Sequence, residues 1–424
     1  MFWSTFFVSL FISYVGSLAV FPILKRLKIY DIPNDRTVHE KPMLEMGGLI
    51  FIIGYFSSLL FALFTHNPEI NTPLLNKLIG IMGGGIAIIL LGALDDLLNL
   101  RPATKFLVEC VIALFLCKCG IIVDQLSLIA YSWELGTLSI PFTIIWIVGI
   151  INAVNMMDGL DGLSGGICLI ILSSIAVQQP SNVLVNLLIP GLLGGLVIFL
   201  FYNWYPAKIF MGDIGSLFLG YHIAIFSIIV VGFDSHPLGA MAPIFLLGLP
   251  IFDTLLAMLR RARNRKPIFK ADKMHVHHQL LSLGLKHSTV VKILCFVNLT
   301  FAIIVYFSKD KNAESSTVII IGTTILIMFL ISQLLSLQSI LKTSLSKGYE
   351  KGVKNTVVLY LQSNNYADIN FNQNQFDKNQ KSEALDEIAQ KIFNENQYEK
   401  VRELANQMLD NQSEPVTDPD SNMQ

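Results

Sequence analysis

The chain has 424 residues, of which 53% are hydrophobic and only 14% charged, with a mean hydropathy of +0.58. Soluble domains carry about 25% charged residues, so this composition excludes an ordinary soluble enzyme and overrides a domain count taken from length. The net charge of −1 gives no basis for a nucleic-acid partner; the placement of the charges carries the information.

Eleven apolar segments are long enough, or nearly so, to span a ~30 Å hydrocarbon core. They lie near 2–24, 47–66, 78–98, 103–121, 140–157, 161–178, 183–203, 213–233, 238–259, 289–308 and 316–336. The fold class expected is therefore an all-α polytopic membrane protein. The loop after the first segment carries Lys25, Arg26, Lys28, Arg36 and Lys41, and the loop after the ninth carries Arg260, Arg261, Arg263, Arg265, Lys266, Lys270 and Lys273. The loop near 122–139 carries no Lys or Arg. Basic loops stay in the cytoplasm, which puts the N-terminus outside and the C-terminal tail inside. The first segment reads as a retained anchor, because its basic residues follow it.

The first basic loop contains Asp31-Ile-Pro-Asn34-Asp-Arg36-Thr-Val-His39, which on its own reads as a Pro/Asn turn. The third segment ends in Asp95-Asp96. A helix C-terminus is already negative, so two adjacent carboxylates there need a cation: a metal, Lys105 at the start of the fourth segment, or both. Cys110, Cys117, Cys119, Cys168 and Cys295 all fall in apolar segments without zinc spacing and read as packing residues.

The fifth segment runs into Asn152-Ala-Val-Asn155-Met-Met-Asp158-Gly-Leu-Asp161-Gly. Four polar side chains recur every third residue where a membrane helix should end, and ionisable groups at that depth are costly and usually functional. The Asp-Gly pairs break the helix and let backbone amides approach a ligand. Phe210-Met-Gly212-Asp213-Ile-Gly precedes the eighth segment; amides at a helix start suit phosphate, and a single carboxylate suits Mg²⁺.

Pro243 and Pro250 should bend the ninth segment. Asp253 inside it is the exception to an otherwise one-sided distribution of charge, and pairing with a nearby cation is its plainest reading. His275-Val-His277-His278 does not place its rings on one helical face, so hydrogen bonds to phosphate or sugar oxygens fit better than zinc. Residues 341–381 read as a polar linker, and 382–424 as a short helical tail of unstated role.

Carboxylates for a hard cation, basic groups for phosphates and Asn/Asp groups for a base or sugar edge thus face one side of a membrane. In this order the motifs resemble the polyprenyl-phosphate N-acetylhexosamine-1-phosphate transferases, the MraY/WecA family, over roughly residues 1–340. The resemblance rests on the Asp31–His39 loop, Asp95-Asp96, Asn152–Leu163, Asn203-Trp-Tyr-Pro-Ala-Lys-Ile-Phe-Met-Gly-Asp213 and His275-Val-His-His278.

It implies transfer of a sugar 1-phosphate, most simply GlcNAc-1-phosphate, from a UDP-N-acetylhexosamine to undecaprenyl phosphate, with UMP released. Mg²⁺ is the implied cofactor, with Mn²⁺ as the alternative ion, and Asp213 and Asp95 are its implied ligands. By the same resemblance Asp95, Asp96 and Lys105 are catalytic. Asn152, Asn155, Asp158, Asp161, Asn203, Phe210 and Gly212 hold the nucleotide. Arg260, Arg261, Arg263, Arg265, His275, His277 and His278 read the diphosphate and sugar, and Asn34, Arg36 and His39 make loop contacts. The family also implies a bacterial inner membrane, a site on its cytoplasmic face, and a homodimer.

The chain departs from the family where Leu44-Glu45-Met46 replaces a common Pro-Arg pair before Gly47-Gly48, and Asn99 stands where a charged residue is common. His-Val-His-His in place of three consecutive histidines favours a simple N-acetylhexosamine over the muramyl-pentapeptide donor. The rival readings are that pentapeptide transferase, a non-catalytic lipid-binding or transport relative, and a scaffold acting through the tail.

Overall fold

A computed structural model describes residues 1–32, 42–128, 131–231, 241–263, 275–282 and 285–308, with the isolated positions 318 and 322. The loop residues Asn34, Arg36 and His39, Arg265, the eleventh apolar segment apart from those isolated positions, and the linker and tail beyond residue 340 lie outside the described residues.

The described chain is helical apart from two short hairpins. In order, it forms α1 (Phe2–Leu27), β1 (Tyr30–Asp31), β2 (Met43–Leu44), α2 (Leu49–His66), α3 (Thr72–Leu98) and α4 (Pro102–Lys118). Next come β3 (Gln125–Leu128), β4 (Tyr131–Glu134), α5 (Ser139–Met157), α6 (Leu163–Gln178), α7 (Val183–Asn203) and α8 (Gly212–Phe226). Then follow α9 (Met241–Leu246), α10 (Gly248–Arg263), α11 (Val276–Ser282) and α12 (His287–Phe307). Among the described residues, seven helices are long and apolar enough to cross a membrane. The chain is an all-α polytopic membrane protein.

Two expected spans are short. The 17 residues of α4 and the 16 of α6 fall below the ~20 that a straight crossing needs. Pro102 opens α4, where its missing N–H costs nothing, and Gly120, with φ +86°, lies just beyond its end. The start of α6 is given over to the turn that ends at Gly162. The ninth segment, expected as one bent span, is divided into α9 and α10 around Leu247. Its backbone bonding continues, with Leu247 N donating to Pro243 O (3.0 Å) and Ile251 N to Leu247 O (3.0 Å).

Between membrane helices the hydrophobic effect gives little, so close backbone approach and hydrogen bonds do the joining. Thr5, Ser9, Ser13 and Ser17 line the buried face of α1 at four-residue spacing, and Ser9 Oγ donates to Gly191 O of α7 (2.5 Å). Tyr221 of α8 donates from its hydroxyl toward Gly80 O and Ile81 O of α3 (3.1 and 3.0 Å). Farther along the same interface, a Cβ on Gly92 would lie 2.5 Å from Ile214 Cα. Because α3 and α8 touch backbone to backbone there, Asp96 reaches the start of α8.

Candidate active site

The site is assembled from helix ends. The C-terminal ends of α3, α5 and α7 meet the N-terminal ends of α2, α4, α6 and α8 through the bonds described below.

The paired carboxylates of α3 part ways. Asp95 accepts from Lys105 Nζ (2.5 Å), which stands in the first turn of α4, and from Leu100 N (2.8 Å), which folds the chain back after the helix. Asp96 instead accepts from Asp213 N (2.6 Å) and Ile214 N (3.1 Å), the first amides of α8. Two adjacent carboxylates were expected to need a cation; Asp96 takes the positive end of a helix instead. Gly212 makes this possible: its φ is +73°, and a Cβ there would lie 2.6 Å from Asp96 Oδ2.

Asp213 is held from three sides. Lys105 Nζ donates to its Oδ2, Asn155 Nδ2 donates to its Oδ1 (2.8 Å), and its own amide is bound by Asp96. Asn155 also donates to Ser216 Oγ (2.9 Å), one turn along α8. Two bonds to the carboxylate and one to the backbone leave Asp213 little freedom, which is the preorganisation a charge-stabilising group needs.

Beside this cluster opens a cavity of about 670 Å³. Its lining includes Asn155, Asp158, Asp161, Asn203, Phe210, Gly212, Asp213 and His278, all named from the sequence. Two of these polar side chains also brace the walls. Asn203 Oδ1 accepts from Gly162 N (2.9 Å) while its Nδ2 donates to Ile209 O (2.9 Å), and Asp161 Oδ2 accepts from Ala207 N (2.9 Å). The segment around Glu45 is laced onto the 210–211 strip: Phe210 N donates to Leu44 O (2.8 Å), Gly47 N to Phe210 O (2.8 Å) and Gly48 N to Met211 O (2.9 Å).

Burial, followed by the charges of Asp96, Asp31, Asp213 and Asp158, pushes the Glu45 carboxyl up to about 8. Burial, with Asp213, Asp96 and Asp161 behind it, does the same for Asp158. A cation bound among these carboxyls would favour their ionised forms and so displace protons from them.

Several named residues stand elsewhere. Asn152 lies a turn deeper in α5, donating to Glu109 Oε2 (2.5 Å) and Val148 O (2.9 Å). Arg260, Arg261 and Arg263 form the last turn of α10, with Arg261 buried, and are not among the cavity-lining residues. His275 and His277 are buried behind His278. Burial, followed by the neighbouring His278, drives the His277 imidazole down to about 3, so it is neutral.

Sequence reasoning left Tyr205 and His287 out. Their rings meet at a tilt with centroids 4.6 Å apart on the cavity wall. Tyr205 sits inside a motif already quoted, but nothing in the sequence tied the lone His287 to it.

Among the described residues no three His, Cys, Asp or Glu side chains gather as a ready-made metal cage. The donor set nonetheless fits Mg²⁺, a hard cation usually held by one or two carboxylates plus substrate phosphates. Asp95 and Asp213 already converge on one positive charge, that of Lys105.

The family model for glycosyl transferase family 4 matches residues 78–231, which contain Asp95, Asp96, Lys105 and Asp213. A probable undecaprenyl-phosphate N-acetylglucosaminyl 1-phosphate transferase of Bacillus subtilis is 37% identical over 82% of this chain and 97% of its own length. A decaprenyl-phosphate N-acetylglucosaminephosphotransferase of Mycobacterium leprae is 30% identical over 66% of this chain and 77% of its own. A phospho-N-acetylmuramoyl-pentapeptide-transferase of Streptococcus pneumoniae is 33% identical over 56% and 74%. The chain, with its carboxylates gathered at the ends of apolar helices, belongs to the glycosyl transferase family 4 group of polyprenyl-phosphate N-acetylhexosamine-1-phosphate transferases.

Proposed function

We propose that this protein transfers GlcNAc-1-phosphate from UDP-GlcNAc to undecaprenyl phosphate at the cytoplasmic face of a bacterial inner membrane, starting a cell-envelope polysaccharide. The observation that carries the reading is the Lys105–Asp95–Asp213 cluster set at the edge of a nucleotide-sized cavity, where a membrane lipid and a soluble nucleotide can both arrive. A lipid-phosphate oxygen attacks the β-phosphorus of the UDP-sugar. The bond from that phosphorus to the bridging oxygen breaks, and the oxygen leaves with UMP.

Asp161, Asn203 and Phe210 form the nucleoside wall in this reading, and Asn155 keeps Asp213 turned toward the phosphates. Lys105 supplies a fixed positive charge to the phosphate groups. Asp95 and Asp213 would hold Mg²⁺, or Mn²⁺ in its place, which would supply charge neutralisation of the diphosphate and of the departing UMP. Phosphate is largely ionised near neutral pH, so Asp95 serves by orienting Lys105 rather than by removing a proton. Asp96, spent on two backbone amides, fixes the start of α8 and does not reach for substrate. A homodimer belongs to the same proposal.

The test is turnover by purified protein in detergent with UDP-GlcNAc, undecaprenyl phosphate and Mg²⁺, against an EDTA control. Cation-dependent release of UMP, with sugar passing into the organic phase, is the expected result. No turnover on UDP-GlcNAc, other UDP-N-acetylhexosamines or the muramyl-pentapeptide nucleotide would overturn the proposal in favour of a non-catalytic relative.

A further inference from the structure

Asp253 is a carboxylate inside an apolar segment that the proposed reaction leaves unused. It is buried, and so is His275, which reaches it from 22 residues away. His275 Nδ1 stands 3.0 Å from Asp253 Oδ2, and Val276 N donates to Asp253 Oδ1 (2.8 Å). A carboxylate only accepts, so the pair fixes the His275 proton on Nδ1. The second bond falls on the first residue of α11.

That helix has seven residues, too few to hold itself together in isolation. Its entry is therefore set by a side chain of α10. The three histidines follow from this entry side by side: the rings of His275 and His277 are nearly parallel (8°) with centroids 5.8 Å apart, and His278 meets His277 at a tilt, 4.3 Å away. His277 Nε2 lies against Gly159, where a Cβ would come within 2.9 Å of it, and His278 lines the cavity beside Gly159.

We propose that Asp253 is a positioning residue: by fixing the His275 proton and the first amide of α11, it sets where His277 and His278 stand against the Asp158–Gly159 turn. The proposal rests on the transferase reading for its kinetic test alone. The partners that orient metal-bound histidines are worth about 10–100-fold, which sets the scale expected here, and misplacing a group by about 1 Å costs about 10²-fold.

The experiment compares Asp253→Ala, Asp253→Asn, His275→Ala and the Asp253→Ala/His275→Ala double variant, all in detergent with both substrates. Asp253→Ala is expected to lose about 10–100-fold in kcat/KM for UDP-GlcNAc, with KM for undecaprenyl phosphate within about twofold of wild type. Because both residues act through one arrangement, the double variant should be no more than about twofold worse than either single. Asp253→Asn should recover most of the activity, since its oxygen still accepts from Val276 N and its amide can donate to His275. Its histidine ¹⁵N spectrum should then show the His275 proton moved from Nδ1 to Nε2.

Asp253→Ala within about twofold of wild type, or single losses that multiply in the double variant, would overturn the proposal. If Asp253→Ala does not fold, Asp253→Asn decides: retained turnover with the tautomer switched supports it, and an unchanged His275 spectrum overturns it. A wild-type protein inactive on every UDP-sugar would sink the transferase reading alone, and the same ¹⁵N comparison would still decide the Asp253–His275 pair.

Discussion

At Asp213 the carboxylate collects an ammonium and a side-chain amide from two helices, while its own backbone amide donates to the Asp96 carboxylate of a third. Asp213→Asn keeps the shape but replaces an oxygen with a donor facing Lys105. The expected outcome is loss of transfer by at least about 10³-fold, the scale of removing a principal charge-stabilising group, with the thermal unfolding midpoint in detergent little changed. Activity near wild type would remove Asp213 from the chemistry.

The neighbouring aspartates should separate in the same assay. Asp95→Asn frees Lys105 from one of its two carboxylates and should lower kcat with the fold retained. Asp96→Ala strips the cap from α8, which typically costs about 0.5–2 kcal/mol, and should lower the unfolding midpoint as well as the rate. Equal effects of the two variants on stability would contradict the division of labour between them.

At the scale of elements, the start of α8 is the tightest fit in the site. Gly212 combines a left-handed φ with the Asp96 carboxylate in the space a Cβ would fill. Gly212→Ala therefore meets both backbone strain, about 1–2 kcal/mol, and displacement of the cap. It should abolish transfer while UDP-GlcNAc binding, read by calorimetry, weakens only modestly, because the nucleoside wall belongs to other elements.

Helices of this kind were legible in the sequence because lipid demands long apolar runs, and such runs need no tertiary information to be seen. Their interruptions were less so. The short α6 follows from how the Asp158–Gly162 turn is folded, and the break at Leu247 follows from two prolines whose combined geometry a hydropathy window averages away. The site was legible wherever a polar residue stood at an apolar helix end, as with Asn155, Asp158, Asp161 and Asp213. What the sequence withheld was direction. Nothing in Asp95-Asp96 tells which carboxylate turns toward a lysine and which toward another helix's amides. Nothing local to His287 announces that the chain returns to one cavity.

For the whole molecule, the carboxylates around the cavity couple protonation to stability. The folded Glu45 and Asp158 carboxyls stand near 8, above the usual carboxylate range of about 4. Folding without a cation therefore takes up protons between about pH 4 and 8. Stability from these groups is complete below pH 4 and is lost as pH rises through 8. In EDTA the unfolding midpoint should fall from pH 5 to pH 8, and Glu45→Gln should flatten that fall. Mg²⁺ should restore the midpoint most at the alkaline end, because bound cation and bound proton compete for the same oxygens. A midpoint independent of pH across this window would show that the carboxylates are ionised in the empty site.

The groups assigned to the proposed reaction hang from the ends of apolar helices, with Asp95 at the foot of α3, Lys105 at the head of α4, Asn155 at the foot of α5 and Asp213 at the head of α8. Such an arrangement makes the bilayer itself an adjustable part of the enzyme. A helix longer than the hydrocarbon is thick answers by tilting and a shorter one by drawing the bilayer in, so neighbours of unequal length, such as the 27-residue α3 and the 17-residue α4, respond differently to a change in thickness. Their ends then slide past one another, and the distance between Asp95 and Lys105 slides with them. Reconstituted into phosphatidylcholines of increasing acyl length, the protein should turn over fastest at one thickness and more slowly on either side of it, even when the supply of both substrates is saturating.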